Sequence, residues 1–197
     1  MKEIILIGRG GHALSCLDVI RSLANFKVIG YVDAPGSVGG VWEGVPFLGT
    51  DDDLPKLIKK STLVVLGLGQ VKNSDLRRSL VKKLKDLGAD FPTVVSPRSY
   101  VSPTAHVGMG TIVMHDAYVG PNAVVGEFSI LNTKSLVEHG ARIGDFVHVA
   151  TAAVVNGDVK VSSDVFLGSN SVTCQGIEIP SKAFVQAGQF IGRKHVW

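Results

Sequence analysis

From Val95 onward an aliphatic residue returns at every sixth position. Seventeen positions are involved, from Val95, Val101 and Val107 to Val185 and Ile191, and Thr173 is the one that is not aliphatic. Val, Ile and Leu number 58 in 197 residues, so chance would fill about five of the seventeen. Four residues after most of them stands a small side chain, as at Ala105, Ala117, Ala123, Ser129, Ser135, Ala141 and Ala153. Glycine often follows directly, at Gly108, Gly120, Gly126, Gly144 and Gly168. A period of six with no alternation fits neither a helix nor a sandwich strand. It fits a triangular prism in which each hexad is one short flat strand and one corner. The aliphatic side chain fills the interior, the small one fits the corner, and glycine eases the turn. Three hexads close one coil of eighteen residues, and coils stack at about 4.8 Å. About five coils then build a rod roughly 25 Å tall.

The first 94 residues follow another rhythm. Glu3–Gly8, Lys27–Asp33 and Leu63–Gly67 read as strands, and Leu14–Leu23, Asp51–Lys60 and Ser74–Leu87 as helices. The three acids opening the second helix suit its positive N-terminal end. Ala34–Thr50 is glycine-rich and is expected to be a loop or flap, and Phe91–Val95 a linker strand into the prism. Strands alternating with helices imply a parallel sheet. The expected fold is therefore α/β plus all-β. A small Rossmann-like parallel α/β domain spans residues 1–94, and a parallel β-helix spans residues 95–197.

The turn after the first strand reads Gly8-Arg9-Gly10-Gly11-His12-Ala13, and Asp33 ends the second strand twenty residues beyond Ala13. Backbone N–H groups at such a helix start cradle a pyrophosphate, and the acid accepts bonds from the nucleoside. NAD and a UDP-sugar both satisfy this physics, and a ligand-free glycine turn is a third reading. The sheet is short for a dinucleotide fold, and His12 beside the glycines has no evident packing role.

Composition removes other classes. The net charge is +3 and the basic residues are scattered, which leaves no footprint for nucleic acid. Two cysteines, Cys16 and Cys174, exclude a disulfide framework. No apolar run approaches the ~20 residues of a membrane span. Met1-Lys2-Glu3 leads straight into a strand, so the expectation is a cytoplasmic protein without a leader.

Together the halves resemble one family. The carrying motifs are Gly8-Arg9-Gly10-Gly11-His12, Tyr31-Val32-Asp33, Val65-Leu66-Gly67 and Leu131-Asn132-Thr133-Lys134-Ser135-Leu136-Val137-Glu138-His139. The resemblance is to bacterial sugar acetyltransferases that join a nucleotide-sugar domain to a left-handed parallel β-helix of hexapeptide repeats. Bacillosamine- and perosamine-type N-acetyltransferases and sialic acid O-acetyltransferases are among them. It implies acetyl-CoA as co-substrate, a homotrimer, and no metal. It implies His139 as general base, since a neutral imidazole removes a proton at neutral pH. Gly10, Gly11, His12, Asp33, Gly67 and Asn132 match substrate positions. His148, Ser169 and Ala187 match the coenzyme site, expected between neighbouring subunits.

The chain departs from that pattern in three places. The N-acetyltransferases carry an acid after the base, where this chain has Gly140. Asp158, eighteen residues further on and one coil away, is the candidate replacement, and a polar corner at Asn156-Gly157-Asp158 without a catalytic part is the other reading. The second nucleoside-site acid is Ala34, and the C-terminus reads Gly192-Arg193-Lys194-His195-Val196-Trp197. The resemblance implies N-acetylation of a nucleotide-linked 4-amino-6-deoxysugar for a surface glycan, by direct attack on the thioester. Three alternatives stay open: O-acetylation of sialic acid or another sugar hydroxyl, a non-catalytic nucleotide-sugar scaffold, and a metal-dependent hydratase. The hydratase needs three histidine ligands, two of them close together on one coil. Here the nearest pairs in the prism, His106 with His115 and His139 with His148, are nine residues apart.

Overall fold

The computed structural model describes residues 1–71 and 73–194. It divides into two compact units: Met1–Gly69 with Asp75–Pro92, and Gln70–Ser74 with the chain from Thr93 onward. The short segment Gln70–Ser74 thus clusters with the second unit although its neighbours in sequence belong to the first.

The first unit is built on β1 (Lys2–Ile7), α1 (Gly11–Arg21), β2 (Phe26–Asp33), β3 (Val41–Trp42), β4 (Val45–Thr50), α2 (Leu54–Leu57), β5 (Leu63–Leu66) and α3 (Asp75–Asp86). The sheet order is β3-β4-β2-β1-β5. β1 lies between β2 and β5 and runs parallel to both. Its residues Ile4–Ile7 are buried, as a strand covered on both faces should be. α1 puts Ala13, Cys16, Leu17, Val19 and Ile20 on its buried side. Burial pushes the Cys16 thiol up to about 12, which removes it as a nucleophile at neutral pH.

Two expectations for this unit are corrected. The glycine-rich stretch 34–50 is not a loop throughout. β4 pairs parallel with β2, and β3 turns back on β4 through Glu43 and Gly44, both at positive φ. Gly30 makes room, because a Cβ there would stand 2.3 Å from Leu48 Cγ. Phe47 packs against Tyr31 at 5.3 Å between ring centroids. The helix expected over 51–60 shrinks to α2. Pro55 sits in its first turn, and Ile58 already has an extended backbone.

In the second unit each hexad forms a two-residue strand, and the strands stack into parallel sheets of six, five and six. The repeated aliphatic is the second residue of every strand. From Val113 on this column is buried, with Thr173 included. Burying each such side chain stabilises the fold by about 1.5–3 kcal/mol. The first residue of each strand points outward. One face carries Tyr100, Tyr118, Leu136, Val154, Val172 and Phe190, and the next carries His106, Val124, Arg142, Lys160 and Glu178. The third carries Val94, Ile112, Ile130, His148, Phe166 and Phe184.

The role expected for the glycines after the aliphatics is also corrected. They do not supply the turn dihedral. At Gly108, Gly120, Gly144 and Gly168 a Cβ would come within 2.5–2.8 Å of the next coil's backbone, so they allow close stacking. Positive φ falls two residues later, at Gly110, Asp116, Asn122, Phe128, Lys134, Gly140 and onward every sixth residue. Asn, Asp and Gly tolerate this conformation. Phe128 and Phe146 hold it while stacked on each other at 5.1 Å.

Candidate active site

The first unit gathers Gly10, Gly11, His12, Asp33 and Gly67 at the C-terminal ends of its strands. That is the end where open α/β sheets bind ligands. Gly10 is the N-cap of α1, with no side-chain cap and no acid in the first turn. Gly10 and Gly11 have nothing within 4 Å of a would-be Cβ. The helix start is therefore open and electropositive, as an anion requires. Gly67 is glycine for packing, since a Cβ would sit 2.7 Å from Ala13 Cβ. His12 is half-buried beside Gly69. Asp33 ends β2, and its Oδ2 accepts from Arg9 Nε at 2.7 Å and from Ser37 Oγ at 3.0 Å. Arg9 also donates to the Val38 carbonyl at 3.2 Å. The residue inside the glycine turn and the acid at the tip of β2 thus form one polar cluster. The sequence reading passed over Arg9, although its place between two glycines of the turn is the signal that would have found it.

The second unit holds the remaining positions at two different corners. His139 stands exposed after the strand Leu136–Val137, on the corner between the apolar face and the charged face. One coil on, Gly157 lies against its ring. A Cβ on Gly157 would come 2.5 Å from His139 Cε1 and 2.6 Å from Nε2. Asp158 occupies the space that a Gly140 side chain would take, with Oδ1 2.3 Å from the would-be Cβ. The backbones are joined by Asp158 N donating to the His139 carbonyl at 3.0 Å. No hydrogen bond links the Asp158 carboxylate to the imidazole among the described residues. Gly157 was not singled out from the sequence, yet the eighteen-residue step that gives Asp158 from Gly140 gives Gly157 from His139.

Asn132 and His148 meet elsewhere. Asn132 Oδ1 accepts from Thr133 N at 2.8 Å, so its Nδ2 is the donor toward His148 Nε2 at 3.3 Å. Nε2 is then the acceptor nitrogen, and Nδ1–H donates to the Gln70 carbonyl at 2.6 Å. Gln70 Nε2 donates back to the Phe146 carbonyl at 2.5 Å. His148 is buried in this network, edge-on to Phe166 at 5.2 Å. Ser169 and Ala187 stack on successive coils at the same corner as Asn132, joined by Gly188 N donating to the Ser169 carbonyl at 2.8 Å. One copy of the chain therefore separates His139 from Asn132, Ser169 and Ala187 by the width of the apolar face. Among the described residues no group of three or more His, Cys, Asp or Glu could hold a metal, and no helix is long and apolar enough to cross a membrane. Of the atypical C-terminus, His195, Val196 and Trp197 lie outside the described residues.

Residues 3–84 match the model of the PglD N-terminal domain family. The UDP-N-acetylbacillosamine N-acetyltransferase of Bacillus subtilis (strain 168) is 30% identical over 118 residues, which are 58% of this chain and 52% of that protein. The match thus spans about half the length of this curated relative. PerB from Caulobacter crescentus, solved in complex with CoA and GDP-perosamine, superposes with a TM-score of 0.86 at 29% identity. The match covers 98% of this chain and 91% of that one. The acetyltransferase domain of PglB from Neisseria gonorrhoeae FA1090, solved with acetyl coenzyme A, gives 0.86 at 25% identity, covering 98% and 93%.

Proposed function

We propose, from the match of residues 3–84 to the PglD N-terminal domain family and the likeness of the whole chain to PerB, that it is an acetyl-CoA-dependent N-acetyltransferase of a nucleotide-linked amino sugar. The observation that carries the reading is His139, an exposed imidazole seated on a glycine, at the position for which the resemblance implies the base. A 4-amino-6-deoxysugar is the favoured acceptor. Its amine attacks the thioester carbonyl carbon and His139 takes the amine proton; the C–S bond then breaks, and that proton passes to the departing sulfur so that CoA leaves as the thiol. Backbone N–H groups steady the oxyanion. Asp158, in the slot beside Gly140, supplies the negative charge that favours the imidazolium formed as the proton is taken.

The first unit takes the nucleotide. The open start of α1 receives the diphosphate at Gly10, Gly11 and His12, and Arg9 adds a positive charge one residue away. Asp33 accepts bonds from the nucleoside, beside Gly67 at the end of β5. In the second unit, Asn132 stands at a position that the resemblance matches to substrate. UDP-sugar binding should protect the first unit in hydrogen exchange. Asp33→Ala should weaken it at least tenfold, since a hydrogen bond to a charged group contributes about 1.5–3 kcal/mol. Equal protection by NAD, or undiminished binding by the variant, would reassign the turn. Thiol release from acetyl-CoA, screened over UDP-, TDP- and GDP-amino sugars and over sialic acid, tests the reaction itself. Release with sialic acid and none with the amino sugars would turn the assignment to O-acetylation.

The coenzyme lies along the prism near His148, Ser169 and Ala187. His139 is on another corner, so a site containing both needs a second copy, and a homotrimer supplies it. The face from Tyr100 to Phe190 suits that contact. All six outward residues are apolar or aromatic, and Phe190 is 65% exposed. Isolated chains seldom leave such a stripe to water. Light scattering at micromolar concentration should give three times the mass of one chain, and a monomer there would remove the shared site. A cytoplasmic location fits substrates that are made and used as nucleotide conjugates.

A further inference from the structure

One rung of the β-helix is built differently from the others. At the residue following each strand, the backbone N–H donates to the carbonyl of the inward residue on the next coil. Glu138 N bonds the Val155 carbonyl at 2.9 Å, Gly144 N the Val161 carbonyl at 2.8 Å and Ser162 N the Ile179 carbonyl at 2.9 Å. The pattern holds from Ser96 to Cys174 except at Asn156. There the N–H donates to the Thr173 hydroxyl at 2.9 Å instead, and the Asn156 side-chain Nδ2 takes the Thr173 carbonyl at 2.6 Å. The ladder loses a pair at the same place: Val154 still faces Val172, but Val155 no longer faces Thr173. The preceding step on this face keeps both its pairs. Thr173 is the one polar residue in the inward column and is 1% exposed.

The residue after Asn156 is Gly157, the seat of the His139 ring. The Thr173 hydroxyl therefore inserts into the ladder one residue before the surface that fixes the general base. A buried hydroxyl in an aliphatic column costs stability unless it is paired, and this one is paired to that single backbone amide. The imidazole has no hydrogen bond within its own chain among the described residues, so contact with Gly157 is what sets its aim there. We infer that Thr173 is a positioning residue: through Asn156 it holds Gly157 where the His139 ring needs it. The inference rests on the reading of His139 as base.

Thr173→Val keeps the shape and restores the aliphatic column, while removing the hydroxyl. Asn156 N–H then returns to the carbonyl at position 173, as in the neighbouring coils, and the platform moves. The expected result is a fold that melts no lower than the parent, KM values for acetyl-CoA and amino sugar unchanged, and kcat down about tenfold or more. Thr173→Ser, which keeps the hydroxyl, should retain kcat within about twofold. The imidazole NMR resonances of His139, assigned by their loss in His139→Ala, should shift in Thr173→Val and stay in place in Thr173→Ser. Unshifted resonances in the Val variant, or equal losses of kcat in both, would overturn the role of Thr173. A parent protein that transfers no acetyl group would count against the acetyltransferase reading alone, and the resonance comparison would still decide the positioning.

Discussion

His139→Ala should lower turnover by about 10²–10⁴-fold, the usual worth of a positioned proton acceptor. Affinity for acetyl-CoA should change little, because the base serves the acceptor amine. Stability should hardly change, because the side chain is exposed. Near-normal turnover in a folded variant would remove the mechanism. Turnover also decides the partner question. If Asp158 is the negative charge that favours the imidazolium, Asp158→Asn lowers turnover severalfold in a folded protein. Unchanged turnover would leave Asp158 as a corner residue that fills the Gly140 slot and nothing more.

Gly157→Ala should behave as a catalytic lesion with a sound fold. The Cβ would stand 2.5 Å from His139 Cε1, closer than any real contact, so the ring has to leave. An exposed ring swings out at little cost, and Gly157 lies outside the positive-φ set, so alanine fits its backbone. The stability change should lie within about 1 kcal/mol, since a compatible Gly→Ala replacement is itself mildly stabilising. Turnover should fall roughly 10²-fold, because a reacting group displaced by about an ångström loses much of its advantage. Thermal melting and kinetics measured on one sample separate the two effects. A folded variant with parental turnover would show that the ring works from another position.

The architecture of the second unit was legible because its interior admits one kind of residue at one spacing. A period of six repeated through seventeen strands leaves no competing register, and the same arithmetic put Asp158 on the coil next to Gly140. The α/β alternation and the glycine turn were equally visible, since backbone demands at a helix start are written in glycine. The stretch 34–50 was not. Its strands form because Gly30 and Tyr31, on another strand, provide the surface that Leu48 and Phe47 cover, and a local reading cannot see a partner surface. The dihedral at the corners was placed two residues too early for a related reason. Glycine marks both positive φ and close backbone approach, and only the stacked coils tell the two apart.

The residue types of the candidate site follow from the sequence alone: a histidine at the motif position, a glycine turn, an acid at the end of β2. Their grouping does not. Tertiary structure decided that Arg9 closes on Asp33, that His148 is buried with both ring nitrogens engaged, and that the His139 ring rests on Gly157. It also decided that Thr173, which reads in the sequence as one imperfect hexad, redirects a backbone amide beside that ring. The physical reason is that composition and period fix which side chains go inside. The direction of a single hydrogen bond depends on what the next coil offers across about 4.8 Å.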